Sequence, residues 1–101
     1  MSSNRVIFTQ NERTYEYDST KSELNRQKHG IEFRAAAKIW SDTNLLEIPA
    51  RVSEETRSLL IGKIGIIYWT AVITMRGQNI GVISVRRSRK REILLYESQR
   101  L

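Results

Sequence analysis

Three runs of strand-forming residues, Arg57 to Ile64, Ile66 to Thr74 and Asn79 to Val85, are separated only by Gly65 and the group Met75-Arg76-Gly77-Gln78. Turns this short and glycine-bearing fold neighbouring strands back on each other, so the three runs predict consecutive antiparallel hairpins. Leu45 to Ile48, ahead of Pro49, adds a further strand. Upstream, Tyr15 and Tyr17 alternate with polar residues in Thr14 to Tyr17, the period of a half-buried strand.

Between these strand signals the period changes. Asp18, Ser19 and Thr20 are all suitable N-caps for a helix over Ser19 to His29, and Gly30 suits the left-handed position that ends one. Phe33, Ala36, Ala37 and Trp40 share one face of a second short helix. After the last strand, Ser88 can cap a final helix in which Ile93, Leu94 and Tyr96 supply apolar contacts. The fold class expected is α+β, an antiparallel sheet packed with two N-terminal helices and one C-terminal helix.

With 101 residues and 40% apolar content the chain suffices for one modest core. Residues 1–14 read as an N-terminal extension in which Val6-Ile7-Phe8 offers an edge strand, and residues 15–101 as the domain proper. The absence of Cys excludes disulfides, zinc–thiolate sites and thiol nucleophiles, while one His and scattered acids provide no metal-ligand spacing. No metal or cofactor is expected. The N-terminus lacks an apolar secretion segment, and the stretch Leu59 to Met75 is broken by Gly62, Lys63 and Gly65, so the expectation is a cytoplasmic protein that does not enter a membrane.

The charge is concentrated. Seven basic residues from Arg76 onward face only Glu92 and Glu97, so this last quarter holds +5 of the formal +6, and five cations fall within Arg86 to Arg91. Such a field favours a polyanion or an acidic protein partner over general solubility, and arginine grips phosphate oxygens in pairs. A solvated helix face is the plain alternative.

Three segments carry a family resemblance. Tyr17-Asp18, Lys21, Asn25, Lys28-His29-Gly30-Ile31, Phe33 and Ala36 resemble the N-terminal half of the BrnT toxins of bacterial toxin–antitoxin operons. Arg57 with Gly62, and Thr74 with Arg76-Gly77, resemble that family's hairpin region. Ile83-Ser84-Val85-Arg86 followed by Arg91-Glu92 and Tyr96-Glu97 resembles its C-terminal signature. The resemblance implies a RelE-like, metal-independent endoribonuclease toxin that inhibits growth by cutting RNA. It further implies neutralisation by a BrnA-like antitoxin, with operator DNA bound only through the toxin–antitoxin complex.

Metal-free RNA cleavage needs a base for the 2′-hydroxyl, an acid for the leaving 5′-oxygen and cations for the phosphate. By the resemblance, Lys28 and His29 handle protons and Arg57, Arg76 and Arg86 complete the catalytic set, while Arg87, Arg89, Lys90 and Arg91 bind RNA. Each has a plainer reading: His29 can simply favour a helix C-terminus, Arg57 and Arg76 can be exposed cations, Glu92 can serve only to pair an arginine, and Tyr96, Trp40 and Trp69 read as core or interface. Where the family commonly carries an arginine at the start of the last strand, this chain has Gly81, and where it carries a small residue before Arg86, this chain has Val85. Strict alternation turns Gly81 to the face opposite Arg86. The competing function is a degenerate toxin that only binds antitoxin or nucleic acid.

Overall fold

A computed structural model describes residues 4–52 and 55–99. Met1–Ser3 of the N-terminal segment and Arg100 of the basic quarter lie outside the described residues. In chain order the elements are β1 (Arg5–Gln10), β2 (Arg13–Asp18), α1 (Ser19–His29), a single helical turn α2 (Phe33–Ala36) running into a 3₁₀ turn (Ala37–Ser41), β3 (Leu46–Val52), β4 (Glu55–Ile64), β5 (Ile67–Arg76), β6 (Asn79–Arg87) and α3 (Lys90–Ser98). The strands form one sheet in the order β1-β2-β6-β5-β4-β3.

The two predicted hairpins are present and tight. Ile64 pairs with Ile67 and Arg76 with Asn79, leaving two-residue loops in which Gly65 and Gly77 hold φ of 62° and 63°, a conformation that costs glycine nothing. The sheet is mixed, however, because β2 runs parallel to β6, with Tyr15 opposite Ile80 and Glu16 opposite Gly81. A parallel neighbour needs a long connection, and here residues 19–78 supply it. The expectation of a wholly antiparallel sheet is corrected at this one pair.

β1 is the outer strand beyond β2, in register from Arg5–Asp18 to Gln10–Arg13. Its Phe8 is buried and stacks on Tyr15 with ring centroids 4.9 Å apart. On one sheet face, here the helical face, Phe8, Tyr15, Tyr17, Leu60, Trp69, Ala71, Ile73, Val82 and Val85 pack with Ile31, Phe33, Ala36, Ala37 and Ile39 into the core. The opposite, open face is covered at one end only by α3. There Tyr96, 1% exposed, meets Tyr68 edge-on, and its hydroxyl donates to Asp42 Oδ2 at 2.7 Å.

Helix α1 begins at Asp18, whose Oδ1 accepts from Lys21 N at 3.0 Å, and ends at Gly30, φ 81°. Its buried Asn25 does the work of a missing strand. β2 pairs with β6 only as far as Gly81, and beyond it Asn25 Nδ2 donates to Val85 O at 2.8 Å and to Ile31 O at 2.9 Å, while its Oδ1 accepts from Val85 N at 3.1 Å. Both backbone groups of Val85 are thereby satisfied by one side chain, which fastens α1 beside β6. α3 does not start as expected at Ser88. Ser88 pairs its hydroxyl with Thr70 Oγ1 at 2.8 Å, and Arg89 occupies the N-cap position, its backbone N–H donating 2.8 Å to Glu92 Oε1. Glu92, three residues into the helix, thus makes the acidic half of a capping box, satisfying the N–H of the N-cap residue itself.

Candidate nucleic-acid site on the open sheet face

A bulge in β6 decides which residues share this face. Val72 faces Ser84 and Ile73 faces Val82, so Ile83 is an extra residue without a partner on β5. One inserted residue reverses the alternation beyond it. Val82 and Val85 therefore both point into the core, at 6% and 0% exposure, and Gly81, Ser84 and Arg86 all lie on the open face. The sequence-based alternation that set Gly81 opposite Arg86 is overturned by this one residue.

Arg86 lies opposite Thr70 on this face and is clasped by α3. Nη1 donates to Glu92 Oε1 at 2.8 Å and Nη2 to Oε2 at 2.7 Å, the two-pronged geometry that makes arginine–carboxylate pairs strong. Glu92 also accepts from Thr70 Oγ1 at 2.9 Å. Arg86 holds the Glu92 carboxyl down at about 2, against the opposing effect of burial, with the Arg89 N–H and Thr70 hydroxyl assisting, and the same pairing raises Arg86. A third donation, from Nη1 to Arg87 O at 3.3 Å, leaves Nε–H and one Nη2 hydrogen of the five guanidinium donors for another acceptor.

Lys28 and His29, at the end of α1, line a shallow depression of about 200 Å³ with Lys21, Leu24, Ile83 and Ser84. Ser84 thus joins two groups of residues that the sequence keeps far apart, with Lys28 and His29 on one side and Arg86 two positions along the strand. Arg57 and Arg76 also belong to the open face, at its other end. Arg57 sits opposite Thr74 and pairs with Glu55, Nη2 2.9 Å from Oε2, while Arg76 Nη1 lies 3.8 Å from Glu16 Oε1. From the level of Thr70 to that of Thr74 is roughly 13 Å along β5 at ~3.3 Å per residue, so Arg57 and Arg76 do not converge with Arg86 on one group.

The basic run is divided as well. Arg87 turns to the helical face and lies over Trp69, its Cζ 5.7 Å from the ring centroid, while Arg89, Lys90 and Arg91 are exposed around the start of α3. Among the described residues no three of His, Cys, Asp and Glu gather as a metal-binding group, and no helix is long and apolar enough to cross a membrane.

A family model for the ribonuclease toxin BrnT of type II toxin–antitoxin systems matches residues 17–92, about three quarters of the chain. The chain belongs to that family. No curated protein matches it. The BrnT match takes in α1, the whole β3–β6 region and the Arg86–Glu92 clasp, so membership brings with it a ribonuclease toxin's RNA substrate and antitoxin partner at that level of description. Two residues of the candidate site were not singled out in the sequence reading. Asn25 and Ser84 were visible only as motif positions, because the place of each depends on segments brought together across more than fifty residues.

Proposed function

We propose that this BrnT-family chain is a metal-independent endoribonuclease of RelE-like architecture that cuts RNA where Ser84 lies between the Lys28–His29 depression and Arg86. The observation carrying this reading is the place of Ser84, which shares the open face with Arg86 and also lines the depression formed by Lys28 and His29. In the reaction the ribose 2′-oxygen attacks the adjacent phosphorus and the bond to the 5′-oxygen breaks, giving a 2′,3′-cyclic phosphate and a 5′-hydroxyl. Lys28 and His29 divide the two proton transfers, one removing the 2′-hydroxyl proton and the other returning a proton to the 5′-oxygen. Arg86 turns its unused Nε edge to the phosphate and stabilises the charge that grows there, with Glu92 fixing its orientation. Because RNA brings its own nucleophile, no metal-bound water is required.

In a cell this activity inhibits growth, and a BrnA-like antitoxin neutralises it by covering the open face and the exposed cations of α3; operator DNA is met through the complex. The decisive experiment uses the chain freed of its partner. RNA should be cut in excess EDTA, DNA should be left intact, and Arg86→Ala and His29→Ala should each lower the rate by about 10² or more. Cleavage that needs a divalent ion, or equal cutting of DNA, overturns the mechanism. An inert chain that still binds RNA selects the degenerate-toxin reading instead.

A further inference from the structure

Gly81 leaves open a space that a Cβ would take from Arg76. Its φ is not in the left-handed region, yet a Cβ at this position would stand 2.9 Å from Arg76 Nε, 3.0 Å from Arg76 Cδ and 3.2 Å from Thr74 Cγ2. The gap it leaves on the open face is filled by the outer half of the Arg76 side chain, which lies across the sheet instead of standing up from it. At the far end of that path is Glu16, whose side chain is 6% exposed while that of Arg76 remains 50% exposed. Glu16 cannot swing away, because Asn79 Nδ2 donates to its Oε2 at 2.9 Å and Arg5 Nε lies 3.7 Å from the same Oε1 that faces Arg76. A buried carboxylate thus draws an exposed guanidinium down into a slot one Cβ deep.

We propose that Gly81 and Glu16 are positioning residues that lay Arg76 flat as a contact for a second RNA phosphate, flanking the one that is cut, so that the open face is a two-point track for the RNA backbone. The spacing supports two phosphates over one: Gly81 faces Thr74 and Arg86 faces Thr70, roughly 13 Å apart along β5. Contacts of this kind hold a nucleic acid in register and contribute a salt-dependent increment to binding without entering the chemical step. This inference rests on the ribonuclease reading for the identity of the ligand, but its geometry is independent of the cleavage residues.

The test measures two quantities on the full chain: binding of a fluorescent 2′-O-methyl RNA oligonucleotide, which offers phosphates but no nucleophile, across a salt series, and steady-state cleavage of the ribo-version. Arg76→Ala should weaken binding about five- to tenfold and reduce the salt slope by about one, with the loss in cleavage appearing in KM. Gly81→Ala should do the same by displacing Arg76, and should add nothing once Arg76 is already alanine; Glu16→Gln should move both quantities in the same direction. A silent Gly81→Ala, or additive effects in the double variant, overturns the positioning role. Arg76→Ala alone, at an exposed side chain, keeps the proposal falsifiable if Gly81→Ala fails to fold: an unchanged salt slope and KM refutes the second phosphate contact while the ribonuclease reading stands. If the wild-type chain binds with an Arg76-dependent slope but cleaves nothing, the track stands and the ribonuclease reading fails.

Discussion

Arg86 and Arg76 lie on the same sheet face and each faces a carboxylate, but the two pairs are built differently. The Arg86–Glu92 pair is two-pronged at 2.7 and 2.8 Å, largely enclosed, and reinforced by Thr70 and the Arg89 N–H. The Arg76–Glu16 pair is a single approach of 3.8 Å with the arginine half in solvent. Enclosure decides what each can do. In the first, both charges have given up most of their water and are repaid chiefly by each other, so the pair braces α3 against the sheet and orients one guanidinium. In the second the guanidinium keeps its water and its freedom to meet a ligand, and its contribution to stability is small.

The largest effect expected from that contrast is at Glu92. Glu92→Gln should destabilise the chain by on the order of 3 kcal/mol, since it leaves Arg86 partly buried without its counter-charge, and the melting temperature should fall by roughly 10–20 °C. The pH dependence follows from the same pair. Arg86 keeps Glu92 at about 2 in the folded chain against 4.5 ordinarily, so its stabilisation is complete above about pH 4.5 and is lost as the pH falls toward 2. Denaturant titrations between pH 6 and 2.5 should show a steep loss in the wild type and a shallower one in Glu92→Gln; parallel curves would show that the clasp is not the brace described.

Asp42 should rank next. Burial pushes its carboxyl up, but the Tyr96 hydroxyl at 2.7 Å, the Asn44 and Lys63 N–H groups at 2.8 Å each and the Lys63 charge together leave it lowered. Asp42→Ala cuts the tie between the 3₁₀ turn, β4 and α3, and about 2 kcal/mol should be lost, measurable as a shift in urea midpoint at constant m-value.

Arg76→Ala should cost less than about 1 kcal/mol in the same titration, despite its larger effect on RNA binding. A loss matching that of Glu92→Gln would erase the distinction between brace and contact. The smallest effect is expected at Glu23, which Arg26 and Gln27 hold at about 2 although the Glu23 and Arg26 side chains are 52% and 55% exposed. Its pairing is made in water, and Glu23→Gln should leave the melting temperature unchanged within error.

Local chemistry made much of this architecture readable in the sequence. Gly65 and Gly77 announce hairpins because a two-residue turn needs a left-handed residue, Gly30 closes α1 for the same reason, and Tyr15 and Tyr17 declare their buried face by alternation. The β1–β2 hairpin was less visible because its turn places Asn11 and Glu12 at φ of 52° and 68°, where the chain offers no glycine as a signal. Tertiary structure alone decided the rest. The parallel pairing of β2 with β6, the bond from Asn25 to Val85 and the clasp of Arg86 by Glu92 are contacts whose energy is not encoded in any local period. The bulge at Ile83 shows the reason most directly. Alternation is a rule about neighbours, and one unpaired residue, admitted because Val82 and Val85 both gain a place in the core, reverses every face beyond it and turns Gly81 and Arg86 to the same side of the sheet.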